Sequence, residues 1–161
     1  MRPGRGDRAG DGPQPYFGAS STADVSAQRR LTVPHHASSA RLVRRELAAD
    51  LDEQACGLSS DLIDDAAAVA TELVGNAVRH AAPLPGGVIT VDWYRHSDGL
   101  EIRVTDGGSA EVPMMRVVTP EAVGGRGLAI VATLATRWGV APAERGRCVW
   151  AWLGEASQVA S

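Results

Sequence analysis

A chain of 161 residues, 44% apolar and 22% charged, has the length of one domain and the composition of a folded, water-soluble protein. Its 16 basic and 19 acidic side chains leave a net charge of −3, which argues against a nucleic-acid reader, since such domains carry a basic footprint. Every basic residue is arginine. The lack of lysine excludes a Walker-A loop, the strand lysine of the protein-kinase fold and any lysine Schiff base.

Cys56 and Cys148 are the only cysteines, too few for a disulfide framework and not in metal-ligand spacing. They read as free thiols in a reducing cytoplasm. No apolar run approaches the roughly 18 residues of a membrane span, and Met1 to Gly12 lacks the apolar centre of an export signal. The expectation is a cytoplasmic protein with neither a membrane nor a nucleic-acid partner.

Residues 1–26 are mostly Gly, Pro, Arg, Asp and Ser, a composition that cannot offset the entropy of ordering, and are expected to form a disordered tail. The folded domain is expected over 27–154, with a short C-terminal tail at 155–161. A strand, Arg30 to Val33, stops at Pro34. Ser38 or Ser39 then caps a helix with Ala40, Val43, Leu47 and Leu51 on one face and Arg41, Arg44, Arg45 and Asp50 on the other. A second helix starts at Ser59 or Ser60 and runs to about Ala81, with Leu62, Ala66, Val69, Leu73 and Ala77 as its core stripe. Pro83, Pro85, Gly86 and Gly87 end it.

The strand Val88 to Arg95 follows, with Ile89, Val91 and Trp93 on one side, and Ser97-Asp98-Gly99 is a hairpin signal. In the next strand Leu100, Ile102 and Val104 share a face, leaving Glu101 and Arg103 on the other. From Gly107 to Gly124 there is no periodicity; Pro113, Met114, Met115 and Pro120 fall here, and irregular loops of this length are usually functional or disordered. Gly124-Gly125-Arg126-Gly127 opens a third helix, Leu128 to about Arg137. Two closing strands lie around Trp138 to Ala141 and Arg147 to Leu153. There is no internal repeat, and the order of elements predicts an α/β fold with helices on one face of a mixed sheet.

Three places carry residues suited to chemistry. Glu72 and Asn76 are one helical turn apart, about 40° offset, at the edge of the core stripe, with Asp65 and Arg79 along the same edge. Such a pair taken alone is more often a solvated flank, but Gly75 between them weakens that view, because a mid-helix glycine costs about 1 kcal/mol relative to alanine. Asp106 shares the parity of Leu100, Ile102 and Val104, so its carboxylate points to the core side and needs donors. A turn-capping role before Gly107-Gly108 or a ligand amine such as adenine's would each supply them. Gly124 to Leu128 offers backbone N–H groups at a helix start, where phosphate binds, although the pattern is not the dinucleotide fingerprint and also suits a plain helix start after a loop. His35, His36, His80 and His96 show no zinc spacing. Trp93, Trp138, Trp150 and Trp152 fall on or beside strands; Trp150 and Trp152 share a face that is a candidate protein contact.

Together these motifs resemble the GHKL, or Bergerat-fold, ATP-binding superfamily of gyrase-type ATPases, sensor histidine kinases and bacterial anti-sigma-factor serine/threonine kinases. Glu72-Leu-Val-Gly-Asn76-Ala-Val-Arg79-His80 is similar to its N box, Asp106-Gly-Gly108 to its first glycine box and Gly125-Arg126-Gly127-Leu128 to its second, in the same order. Glu at the first N-box position makes the stand-alone anti-sigma-factor kinases the nearest likeness. The resemblance implies a two-layer α/β sandwich, its mixed sheet mostly antiparallel, with ATP between the helices and a lid at 109–123. It assigns Asn76 to Mg²⁺ and Asp106 to the adenine amine. Gly108, Gly125, Arg126, Gly127 and Leu128 would line the nucleotide, with Arg79 near a phosphate and Glu72 as general base.

The resemblance also implies a sigma factor and an anti-sigma-factor antagonist as partners, with a homodimer as a possible assembly. Two departures from the pattern are visible: Ala110 replaces the last glycine of the first box, and Cys148 is placed where the family often has a threonine near the adenine. Two other readings remain open, a non-catalytic module that uses ATP to grip a partner and a detached histidine-kinase-like ATPase domain. The second is weakened because no dimerisation helix with a phosphoacceptor histidine precedes the domain.

Overall fold

The computed structural model describes residues 25–53, 57–109 and 126–154. Residues 1–24 of the expected 1–26 tail, the expected C-terminal tail at 155–161, 110–123 of the expected lid, and Gly124 and Gly125 lie outside them, while Val25 and Ser26 belong to the first strand. Chain order is β1 (Val25–Pro34), α1 (Ser39–Glu53), α2 (Ser60–His80), β2 (Val88–His96), β3 (Gly99–Asp106), α3 (Arg126–Leu134), β4 (Arg137–Pro142) and β5 (Arg147–Gly154). The strands form one sheet in the order β1-β2-β3-β5-β4. All four pairings are antiparallel, so the sheet is wholly antiparallel and not mixed. β2–β3 and β4–β5 are sequence neighbours joined by tight turns, and such connections dictate antiparallel pairing. β1 extends five residues further toward the N-terminus than the apolar pattern indicates, because its polar residues also pair with β2.

The three helices cover one face. Val43, Leu47 and Leu51 from α1, the α2 stripe through Val69, Leu73 and Ala77, and Leu128 and Val131 from α3 join Ile89, Val91, Trp93, Ile102, Val104 and Val149 in one core. α2 is placed centrally, packed on α1, α3, β3 and β5. Ser59 fixes its start: its Oγ accepts from Leu62 N at 3.2 Å, supplying one of the acceptors that first-turn amides lack. Its far end is held by His35, whose Nε2 donates to the carbonyls of Ala81 (2.8 Å) and Ala77 (3.1 Å). The C-terminal half of α2 is therefore tied to the end of β1, which sets where Asn76 and Arg79 sit.

Two expectations about exposure fail. Asp50 does not lie on the solvated face of α1; it is 9% exposed, accepts from Trp93 Nε1 at 2.7 Å and pairs with Arg29 at 3.1 Å. A strand tryptophan aimed at the helix layer needs an acceptor for its N–H, and Asp50 supplies it.

The second concerns the candidate contact face of Trp150 and Trp152, on the side of the sheet away from the helices, where the neighbouring side chains are buried. Glu101 is 1% and Arg103 6% exposed, with Arg103 Nε 2.6 Å from Glu101 Oε1 and its guanidinium 4.5 Å from the Tyr94 ring centroid. Trp150 and Trp152 are buried on this face too, the Trp150 ring over Gly139 and the Trp152 ring against Gly99 and His96. They are packed side chains and do not form an exposed contact patch.

Candidate functional site

The site gathers at one edge of α2. Glu72, Gly75, Asn76 and Arg79 lie within two turns of helix, and α3 packs across them. Gly127, buried in the first turn of α3, faces the Glu72 carboxylate so closely that a methyl group on Gly127 would lie 2.7 Å from Glu72 Oε2 and 3.4 Å from Arg79 Nη2. Arg79 curls back over its own helix: a methyl group on Gly75 would meet Arg79 Nη1 at 3.0 Å. Gly75 is thus explained by the guanidinium that covers it, which offsets its low helix propensity. Glu72 and Arg79 form no ion pair with each other or with any other described residue.

Asn76 is 2% exposed, and its Nδ2 is buried without a hydrogen-bond partner among the described residues. A buried amide in that condition costs stability, so the helix carries an unsatisfied polar group next to the Glu72 carboxylate. Leu128 is buried in the core, where it anchors α3. The Arg126 side chain and Gly125 lie outside the described residues.

The other end of the site is the end of β3. Asp106 is fully buried on the helix side of the sheet. Its Oδ1 accepts from Gly108 N at 2.7 Å and from Arg147 Nε at 3.2 Å, while Oδ2 lies 3.3 Å from the same Nε. Burial pushes this carboxyl above the usual carboxylate range, opposed by the nearby Arg147 charge and the Gly108 amide. The turn after Asp106 is clamped by the segment that follows α2: Gly107 N donates to Ala82 O at 2.7 Å and Ala82 N to Gly108 O at 2.9 Å. A side chain on Gly107 would collide with Pro83 O, so this position requires glycine. The C-terminal end of α2 and the end of β3 are thereby held as one unit.

The register of β5 corrects one expectation. Asp106 pairs with Arg147, and Thr105 with Cys148. Because strand side chains alternate between faces, the residue beside Asp106 on the helix side is Arg147. Cys148 points to the opposite face, in a small cluster with Ala141 and Trp150. A shift of one residue moves the whole set to the other face. Burial raises the Cys148 thiol to about 12, so it stays protonated at neutral pH. Arg147 and His35 are the functional-site neighbours that sequence reasoning misses. The parity of Val149, Ala151 and Leu153, counted backward, points to Arg147; nothing local marks His35.

A family model for the histidine kinase-like ATPase domain matches residues 33–152, and the chain belongs to that family. A search of curated proteins gave no match. The three motifs fall inside the matched span, and the antiparallel sheet with its helical layer is the α/β sandwich of the GHKL fold. A domain of this kind binds ATP, and the residues fit such a ligand: a buried carboxylate with Arg147 at one end, and at the other an amide and a carboxylate without partners among the described residues, beside a helix N-terminus. Among the described residues no group of three or more His, Cys, Asp or Glu surrounds a metal position. One protein oxygen is enough for Mg²⁺, which usually keeps waters and phosphate oxygens as its remaining ligands. No helix among the described residues is long and apolar enough to cross a membrane.

Proposed function

We propose that the protein is an ATP-dependent serine/threonine protein kinase acting as an anti-sigma factor, which binds a sigma factor and phosphorylates an anti-sigma-factor antagonist. The observation that carries this reading is the Glu72 carboxylate. It has no ion-pair partner among the described residues, it lies one turn from Asn76, and it faces Gly127 in the first turn of α3. A module that uses ATP only as a conformational ligand has no use for a carboxylate there, whereas a kinase needs a base for the attacking hydroxyl.

In this account Glu72 takes the proton of the acceptor serine at a carboxylate oxygen, and Arg79 lends positive charge beside it. Asn76 would hold Mg²⁺ through Oδ1, which leaves Nδ2 to donate to the ligand. Mg²⁺ held there would supply positive charge that offsets the negative charge developing in transfer. Asp106 would accept from the adenine amine, and the backbone N–H groups at the start of α3 would face phosphate. For the partner, α1 displays exposed Arg41, Arg44 and Arg45, a basic face suited to an acidic surface on the sigma factor or the antagonist.

The test is to purify the protein with its co-isolated partners and supply γ-labelled ATP. Label should pass to a partner serine or threonine. Glu72→Gln should bind ATP within a few-fold of the parent and lose transfer by roughly 10²–10⁴-fold. Full transfer by Glu72→Gln would remove the base, and nucleotide-dependent partner binding without transfer would establish the non-catalytic reading. Charge reversal at Arg44 and Arg45 should weaken the partner and leave ATP affinity unchanged.

A further inference from the structure

Asp106 and Arg147 form the only ion pair at the inner end of the site among the described residues, and the pair is incompletely satisfied. The guanidinium approaches through Nε alone, not in the two-nitrogen fork that arginine and carboxylate usually adopt. As a result Arg147 Nη2 is buried with no hydrogen-bond partner among the described residues. On the carboxylate, Oδ1 accepts from two donors, while Oδ2 has only the long 3.3 Å contact to Nε. A carboxylate oxygen has room for two donors. The pair therefore holds spare acceptor capacity at Oδ2 and a spare donor at Nη2, on two side chains already joined through Nε.

We propose that Arg147 is a base-reading residue: together with Asp106 it presents an acceptor and a donor to adjacent positions on the edge of a purine, and so selects adenine. The reading rests on the ATP site described above and adds to it. Adenine carries a donor at its 6-amino group and an acceptor at N1, the complement of Asp106 Oδ2 and Arg147 Nη2. Guanine in the same pose inverts both, placing its O6 acceptor against the carboxylate and its N1–H donor against the guanidinium. Both contacts would be repulsive, and both occur where water is excluded and unpaired groups are most costly.

Placement along α2 agrees with this. The Asp106 turn is bonded to Ala82, just past the helix end, while Glu72 faces Gly127. Glu72 and Ala81 are nine residues apart, about 13.5 Å along the axis, which separates a base at one end from phosphates at the other. Replacing Arg147 also removes the main neutralising charge beside a buried carboxylate, so an effect on ATP binding alone would not separate reading from support.

The experiment is therefore a cycle of two proteins and two ligands. Parent and Arg147→Met are each titrated with ATP and with 1-deaza-ATP, in which C–H replaces N1. The parent should prefer ATP over 1-deaza-ATP by roughly tenfold to a hundredfold, the range for a charged donor on a neutral acceptor. Arg147→Met should lose that preference, with ATP binding falling to the level of 1-deaza-ATP and 1-deaza-ATP itself little changed. Equal loss of both ligands would make Arg147 a mere support for Asp106, and tighter ATP binding by Arg147→Met would make it an obstruction; either result overturns the proposal. If the variant does not fold, the parent decides: equal affinity for the two ligands overturns it. A parent that binds neither ligand would refute the ATP site itself, a distinct outcome.

Discussion

Gly127→Ala should move stability and activity in opposite directions. Gly127 lies in the first turn of α3 and is not among the glycines with positive φ, so alanine fits the backbone and should add roughly 0.5–1 kcal/mol of helix stability. The new methyl group would stand 2.7 Å from Glu72 Oε2, about 0.7 Å inside a comfortable contact of roughly 3.4 Å. The carboxylate is the free end of a side chain and can swing away at little cost to the fold. The net change in stability is expected between zero and about +1 kcal/mol.

For chemistry the same displacement is expensive, since a misplacement on the order of 1 Å can lower a positioned step by about 10²-fold. Urea unfolding would measure the first effect, and single-turnover transfer from γ-labelled ATP the second. ATP affinity should change by less than about tenfold if the variant keeps the backbone N–H groups at the start of α3. Full transfer activity by Gly127→Ala would refute the argument, because it would show that the Glu72 carboxylate does not work from the position opposite Gly127.

Two further outcomes follow from the fold. Asp50→Ala leaves the buried Trp93 N–H without its acceptor and should cost roughly 2–3 kcal/mol, with little added by the half-exposed Arg29; combined with Trp93→Phe, the two losses should add to less than their sum in a denaturant series. Cys148, with its thiol raised to about 12, should resist iodoacetamide at pH 8.5 in the native state and react on unfolding, as read by mass spectrometry of its peptide. Labelling in the native protein at the rate of a free thiol would place it elsewhere.

The sequence made the helices and strands legible wherever one face is apolar at a regular period. The α2 stripe, the β2–β3 turn and the core parity of Asp106 all follow from local spacing. What spacing could not show depends on contacts between distant residues. Asp50 looks like a solvated charge until Trp93, 43 residues away, is placed over it. Spacing puts Glu101 and Arg103 on the face opposite Ile102, but does not show that they are buried there, paired with each other beside Tyr94 and the Trp150 strand.

At the site, Glu72, Asn76 and Arg79 were visible because a single helix spaces them. Arg147 was not, because its place depends on the register of two strands 41 residues apart, where one step exchanges Arg147 for Cys148. The joining of α2 to the Asp106 turn through Ala82 rests on backbone bonds, which no side-chain pattern announces.

The central claim is that this edge of α2 and the end of β3 form one adenine-nucleotide site, and calorimetric titration of the parent chain and Asp106→Asn with ATP and GTP in the presence of Mg²⁺ tests it most directly. The account predicts that the parent binds one ATP per chain at least tenfold more tightly than GTP, in keeping with one or two polar contacts to the base. Asp106→Asn should lose most of that preference. Equal affinity of the parent for ATP and GTP, or an unchanged preference in Asp106→Asn, would contradict it.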